Sequence, residues 1–215
     1  MKTITTSPYL EQKATWPKKG QHIMAHYDKD TIVVYQAYRP EIGLHAAKHQ
    51  SFGGPFSYNR MSWIKPNFLW MMYRSGWGTK EGQEITLAIT LRRTFFDELL
   101  ESAIASGFTA SNFENIDDWK RALPKSEVRL QRDPDHDPSG SPVTGRAIQL
   151  GLRGETLHRF GNDEALRIED ISEFVATQRN QIETPESLII PDERPYLPSS
   201  DRARHQVSLD LESTP

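Results

Sequence analysis

The chain contains no cysteine. Disulfides, zinc–thiolate sites, iron–sulfur clusters and thiol catalysis are therefore excluded. Long apolar runs are also missing. No stretch approaches the ~20 consecutive apolar residues of a membrane-spanning helix, and the start, MKTITTSPYLEQKATWPKKG, has no apolar core of the secretory kind. Charge of one sign is absent too: 26 Lys and Arg against 29 Asp and Glu leave a net charge of −3, so no global basic field advertises nucleic acid. The dinucleotide and nucleoside-triphosphate fingerprints GxGxxG and GxxxxGK[ST] do not occur, nor do HExxH or GxSxG. There is no internal repeat. These absences lead us to expect a cytoplasmic protein with no membrane association.

What is present fits one domain. At 215 residues, with 36% hydrophobic residues diluted at both ends, the chain reads as a single α+β domain over residues 21–190. Residues 1–20, interrupted by Pro8 and Pro17, read as a loose polar leader, and residues 191–215 as a flexible, Pro-rich, charged tail.

Within that domain, Thr31–Tyr38 (TIVVYQAY) is a strand by its β-branched and aromatic residues. Alternation puts Ile32, Val34, Gln36 and Tyr38 on one face and Val33, Tyr35, Ala37 and Arg39 on the other. Pro40 opens a helix, which leaves Arg39 at a strand-to-helix junction. Gln83–Leu91 is a second strand, with Ile85, Leu87, Ile89 and Leu91 on one face and the small Thr86, Ala88 and Thr90 on the other. A helix capped by Thr94 runs to Gly107, and a short one covers Asn115–Leu123. Further strands are expected at Glu127–Gln131, Arg146–Arg153, Ala165–Glu169 and Leu188–Ile190, with a helix over Ile171–Gln178.

Met61–Glu84 concentrates chemistry. It holds three of the five Trp (Trp63, Trp70, Trp77), with Tyr73, Arg74, Ser75 and glycines close behind. Pro66 and Gly76 bracket a helix over Asn67–Ser75 whose Phe68, Met71, Met72 and Ser75 share a stripe. Trp70, Tyr73 and Arg74 lie partly round the helix from it. An aromatic core helix and a ligand-stacking wall weigh about equally here. Arg39, Arg74, Arg146 and Arg153 sit at element ends, where guanidinium groups match phosphates or carboxylates. Gln149, Gly151 and Arg153 share one strand face, as a ligand floor would.

Two clusters invite a metal reading. His45 and His49 are four apart on a helix, which with Lys48 beside them suits a solvated face better. Asp133, Asp135, His136 and Asp137 fall in RDPDHDP, whose prolines and following SGSP argue for an exposed loop; no metal is expected there.

YQAYRPEIG, MSWIKPNFLWMMYRSGWGTKEGQE, RDPDHDP and RAIQLGLRG, in that order, resemble the DUF4291 family from about Tyr35 to Gln178. The family's name, domain of unknown function, supplies no chemistry. The order of elements also looks like the split-sheet α+β fold of ADP-ribosyltransferases, in which an early Arg or His grips NAD, a Tyr stacks nicotinamide and a late Glu faces the ribose. That likeness implies a mixed, split β-sheet flanked by helices, with NAD as cofactor. Arg39 and Tyr73 match the first two roles; Gln149 stands where a carboxylate is wanted, and Glu169 is a substitute. It further implies binding by Arg39, Trp70, Tyr73, Arg74, Ser75 and Arg146. Transferases that move RNA phosphates onto NAD use Arg and His clusters, which suits Arg39, Arg74 and Arg146. The expected function is an NAD-dependent ADP-ribosyltransferase-like enzyme acting on a nucleotide or nucleic acid. The alternatives are a non-catalytic nucleotide or RNA binder and, last, a metal-dependent hydrolase built on Asp133, Asp135 and Asp137.

Overall fold

The computed structural model describes residues 4–18 and 20–210. Its strands are β1 (Thr6–Pro8), β2 (Met24–Ala25), β3 (Thr31–Tyr38), β4 (Ser62–Ile64), β5 (Ile85–Arg92), β6 (Ile104–Ala105), β7 (Val128–His136), β8 (Pro142–Leu152), β9 (Ala165–Asp170), β10 (Ile189–Pro191) and β11 (Arg194–Pro195). Its α-helices are α1 (Tyr9–Thr15), α2 (Pro40–His49), α3 (Phe68–Ser75), α4 (Arg93–Ser102), α5 (Ile116–Ala122), α6 (Gly154–Arg159), α7 (Ser172–Arg179) and α8 (Asp201–Gln206). The result is one α+β domain with several small sheets.

Two sheets organise it. The first is antiparallel in the order β3-β5-β9; the second runs β4-β8-β7-β6, antiparallel except for the parallel pair β6-β7. They meet at one bridge, where the Tyr35 N–H donates to the Lys65 carbonyl at 2.7 Å and the Lys65 N–H donates back at 3.2 Å. Past that bridge the link between β3 and β4 is made by side chains, Gln36 and Tyr38 on Ser62 and Trp63.

The alternation read from sequence decides which core each residue joins. Ile32 and Val34 of β3, with Leu87, Ile89 and Leu91 of β5, pack between the sheets with Leu130, Ile148 and Leu150. Val33 and Tyr35 face the other way and join Phe68, Met71 and Met72 of α3. The small face of β5 does lie against a helix: Ala88 packs with Val175 of α7, and the Thr86 N–H donates to Ser172 Oγ.

Several expectations are corrected. The segment expected as a loose leader forms β1 and α1. Tyr9 and Gln12 are buried, and Gln12 Nε2 donates to the Ile190 carbonyl while its Oε1 accepts from the Glu193 N–H. The segment expected as a flexible tail supplies β11 and α8, with Tyr196, Ala203 and Val207 in the main core; Tyr196 OH donates to Asp97 at 2.5 Å. Polar composition misled at both ends because a few apolar anchors suffice to bury a short segment. The helix after β5 stops at Ser102, short of Gly107, because Ile104–Ala105 is drawn into pairing with β7. Thr94 does not cap it, since the N-cap is Arg92. RDPDHDP is no exposed loop: β7 continues through it to His136, paired with β8 as far as Pro142 with a register shift at Pro134/His136.

Candidate functional site

A cleft of about 480 Å³ opens beside the bridge between the two sheets. That volume lies within the range of small-molecule sites. β3 contributes Gln36 and Tyr38, the approach to β4 and its end contribute Arg60, Trp63 and Lys65, α3 contributes Met71 and Arg74, and the β7–β8 hairpin contributes Gln131 and Gln149. Its lining residues include three cationic side chains and no carboxylate.

Each wall is held from behind. Gln36, a polar residue in the row Ile32–Val34–Gln36, is only 2% exposed and donates to Ser62 Oγ at 2.8 Å and to the Trp63 carbonyl at 3.1 Å. Tyr38 OH completes the group with a 2.7 Å hydrogen bond to Ser62 Oγ. On the opposite wall Asp133 accepts from Gln149 Nε2 at 2.8 Å and from Gln131 Nε2 at 3.2 Å. Both amides are thereby oriented by one carboxylate. Gly151, next along the Gln149 face, gives room to Met61 and Trp63: a Cβ there would stand 2.6 Å from Met61 Sδ.

Helix α3 carries Met71 and Arg74 to the cleft, and its start is fixed twice. Asn67 Oδ1 accepts from the Trp70 N–H and Glu193 Oε1 accepts from the Phe68 N–H, each at 2.7 Å. These are two of the donors that a helix start leaves unmatched. The C-terminal stop is Gly76, in the left-handed region at φ 57°.

Lys65 is the least expected wall residue. It is 6% exposed, its Nζ donates to the Trp63 carbonyl at 3.3 Å, and it lies 5.2 Å from the centre of the Trp70 ring. Among the described residues no carboxylate pairs with Lys65, Arg60 or Arg74. Burial, reinforced by Arg74 and opposed by Asp133, lowers the Lys65 pKa to about 7.

Of the residues singled out from sequence, Arg74 and Gln149 meet in this cleft. Arg39 lies outside it at the N-cap of α2, where it pairs with Glu41 at 3.6 Å. Trp70 is buried, 4% exposed, beneath Lys65. The Tyr73 ring is exposed at one side, but its face is covered by His136 at a 3.4 Å ring separation. Ser75 is fully buried and its Oγ donates to the Met71 carbonyl. Arg146 donates to the Arg132 carbonyl on a different surface, and Arg153 is spent on the Ser126 carbonyl. Glu169 lies on β9, paired with Arg167 at 2.6 Å, and lines another hollow.

Sequence reasoning missed Gln36, Lys65 and Gln131. The first two had a signal: each is a polar residue inside an otherwise apolar, buried row. The aspartates of RDPDHDP serve separate ends. Asp133 holds the two glutamines, Asp135 accepts from the His136 N–H, and Asp137 accepts from the Ser139 and Ser141 N–H groups. Among the described residues no group of three or more His, Asp or Glu is placed to hold a metal ion.

Behind α3, Glu193 is fully buried, and burial raises its pKa well above the ordinary 4.5, with Asp135 nearby adding to the rise. Burial also lifts Asp135, to about 6. A carboxyl with a raised folded pKa holds its proton more tightly folded than unfolded. Its contribution is therefore complete below pH 4.5 and is lost as pH rises through the folded value. Glu193→Gln keeps an oxygen for the Phe68 N–H and removes the titration. We expect its melting temperature at pH 8 to exceed that of the parent protein, with a shallower decline between pH 5 and pH 8. Melting curves that fall in parallel for both proteins would show that Glu193 does not carry the slope.

The sequence profile of DUF4291, described as "Domain of unknown function (DUF4291)", matches residues 22–196. No curated protein matches the chain. Among the described residues no helix is long and apolar enough to cross a membrane.

Proposed function

Because this chain belongs to the DUF4291 family, whose name assigns no activity, we propose its function from the cleft: an NAD-using transferase of ADP-ribosyl type that acts on a nucleotide or nucleic acid. The observation behind this reading is the wall itself, where Arg60, Lys65 and Arg74 gather without a carboxylate. Such a set suits the phosphates of a dinucleotide, since guanidinium and ammonium groups donate charge-assisted hydrogen bonds to phosphate oxygens.

NAD brings a ribosyl–nicotinamide bond whose cleavage releases nicotinamide, while an acceptor oxygen takes its place on the ribose and gives up a proton. The residues of this chain have simpler tasks. Arg60 and Arg74 hold phosphate charge, and Gln149, oriented by Asp133, offers an amide to the sugar. Lys65 is basic enough near neutral pH to accept the acceptor's proton. The ribose-facing carboxylate of known ADP-ribosyltransferases has no counterpart on this wall, because Gln149 stands there and Glu169 lies elsewhere. That observation favours a second reading, a non-catalytic nucleotide or RNA binder.

A thermal-shift titration with NAD, AMP and a short RNA, followed by assay for free nicotinamide, separates them. Binding to the folded state raises the melting temperature in proportion to RT ln(1 + [L]/Kd). The transferase reading expects the largest shift with NAD and accumulating nicotinamide. A shift with AMP or RNA alone selects the binder. No shift with any of the three would sink the cleft as an anion site.

A further inference from the structure

We propose that Lys65 is a reactive amine and that the cleft captures phosphorylated aldehydes as imines on its Nζ, with Arg60 and Arg74 holding the phosphate. The inference rests on the cleft being an anion site, as above, and not on NAD being the anion.

Three features of the structure point to it. The backbone of Lys65 is pinned by its two hydrogen bonds to Tyr35, which direct the side chain to the cleft wall. Its Nζ has a backbone carbonyl and the Trp70 ring as neighbours but no counter-ion among the described residues. Two arginines line the cleft with it, Arg74 from α3 and Arg60 from the approach to β4.

A buried ammonium without a carboxylate partner is costly, so such a group sheds its proton instead. The charged groups acting on it are Arg74, which disfavours the ammonium, and Asp133, which favours it but is engaged by two glutamines; Arg60 lines the same cleft. Burial dominates and lowers the pKa of Lys65 from the ordinary 10.5 to about 7. At pH 7 an exposed lysine, with a pKa of about 10.4, is neutral in only about one molecule in 2,500. Desolvation beside another cation is a recognised way of activating a lysine for Schiff-base formation.

The step balances without an oxidant. The Nζ lone pair forms a bond to the aldehyde carbon, the carbonyl oxygen collects the two protons that the neutral amine gives up and leaves as water, and a C=N bond remains. The ligand class is an aldehyde carrying a phosphate or pyrophosphate. ADP-ribose, whose sugar opens to an aldehyde, belongs to it.

The test treats the whole protein at pH 7 with pyridoxal 5′-phosphate, and in parallel with pyridoxal, which lacks the phosphate. Borohydride then reduces the imine to a stable amine, and peptide mass spectrometry locates it. Lys65 is expected to carry the adduct at least about tenfold faster than the exposed Lys13, Lys29 and Lys48. Pyrophosphate should protect it, and Arg74→Ala should erase the preference for the phosphorylated aldehyde while pyridoxal still reacts. Adducts on the exposed lysines with Lys65 unmodified, or equal rates with and without the phosphate, would overturn the proposal. The two readings fail separately. Labelled Lys65 with no response to NAD discards the transferase alone; NAD turnover with unlabelled Lys65 discards the imine alone.

Discussion

Phe68→Ala is expected to lower the stability of the protein by about 3–5 kcal/mol, the range for removing a buried phenyl ring from a packed core. The Phe68 side chain is wholly buried at the start of α3. Its ring stands 5.4 Å from Tyr35, 5.9 Å from Trp77 and 6.1 Å from Phe174, the first two edge to face. It therefore joins three elements: β3, the turn after α3, and α7. Alanine would leave a void that none of them can fill, because the Tyr35 backbone is bridged to Lys65 and the Trp77 Nε1 donates to the Pro138 carbonyl at 3.0 Å. For a domain of this size the loss corresponds to roughly 10 °C in melting temperature. Urea unfolding of both proteins checks it: a midpoint shift worth under ~1 kcal/mol would mean that Phe68 does not hold α3 in place.

Arg74→Ala is expected to weaken nucleotide binding about 10- to 100-fold, as the loss of a charge-assisted contact worth ~1.5–3 kcal/mol implies. Arg74 is exposed on α3, its guanidinium has no ion-pair partner among the described residues, and it lines the cleft opposite Gln131 and Gln149. Stability should change little, since surface substitutions lie within about 0.5 kcal/mol. Arg39→Ala is the informative control. Read from sequence, Arg39 grips NAD; in the structure it pairs with Glu41 outside the cleft, so its removal should leave affinity unchanged. Titration of both variants by calorimetry, using whichever of NAD or AMP the parent protein binds, decides between them. Loss of binding in Arg39→Ala with retention in Arg74→Ala would move the site to the β3–α2 junction.

Much of the local structure was legible in advance. Alternation in TIVVYQAY assigned β3 and both of its faces, and Pro66 and Gly76 bracketed α3 to within a residue, Asn67 proving to be its N-cap rather than its first turn, because cap and stop residues act through their immediate neighbours. The family could also be read, since its motifs are contiguous. The ends of the chain were not legible. Burial of Tyr9 and Tyr196 depends on partners far away along the chain: the Tyr9 N–H donates to the Leu188 carbonyl, and the Tyr196 hydroxyl to Asp97, 99 residues before it.

The site divides along the same line. Sequence alone excluded thiol and cysteine-bound metal chemistry and marked Arg74 and Gln149 as residues of interest. Only the tertiary structure brought those two together with Gln36, Arg60 and Lys65, while leaving Arg39, Tyr73, Arg146 and Glu169 to other surfaces and Ser75 to the interior. The reason is geometric. Periodicity determines which face a side chain takes, but the register of β7 on β8 and the Tyr35–Lys65 bridge determine which faces meet, and hydrogen bonds between distant segments set both.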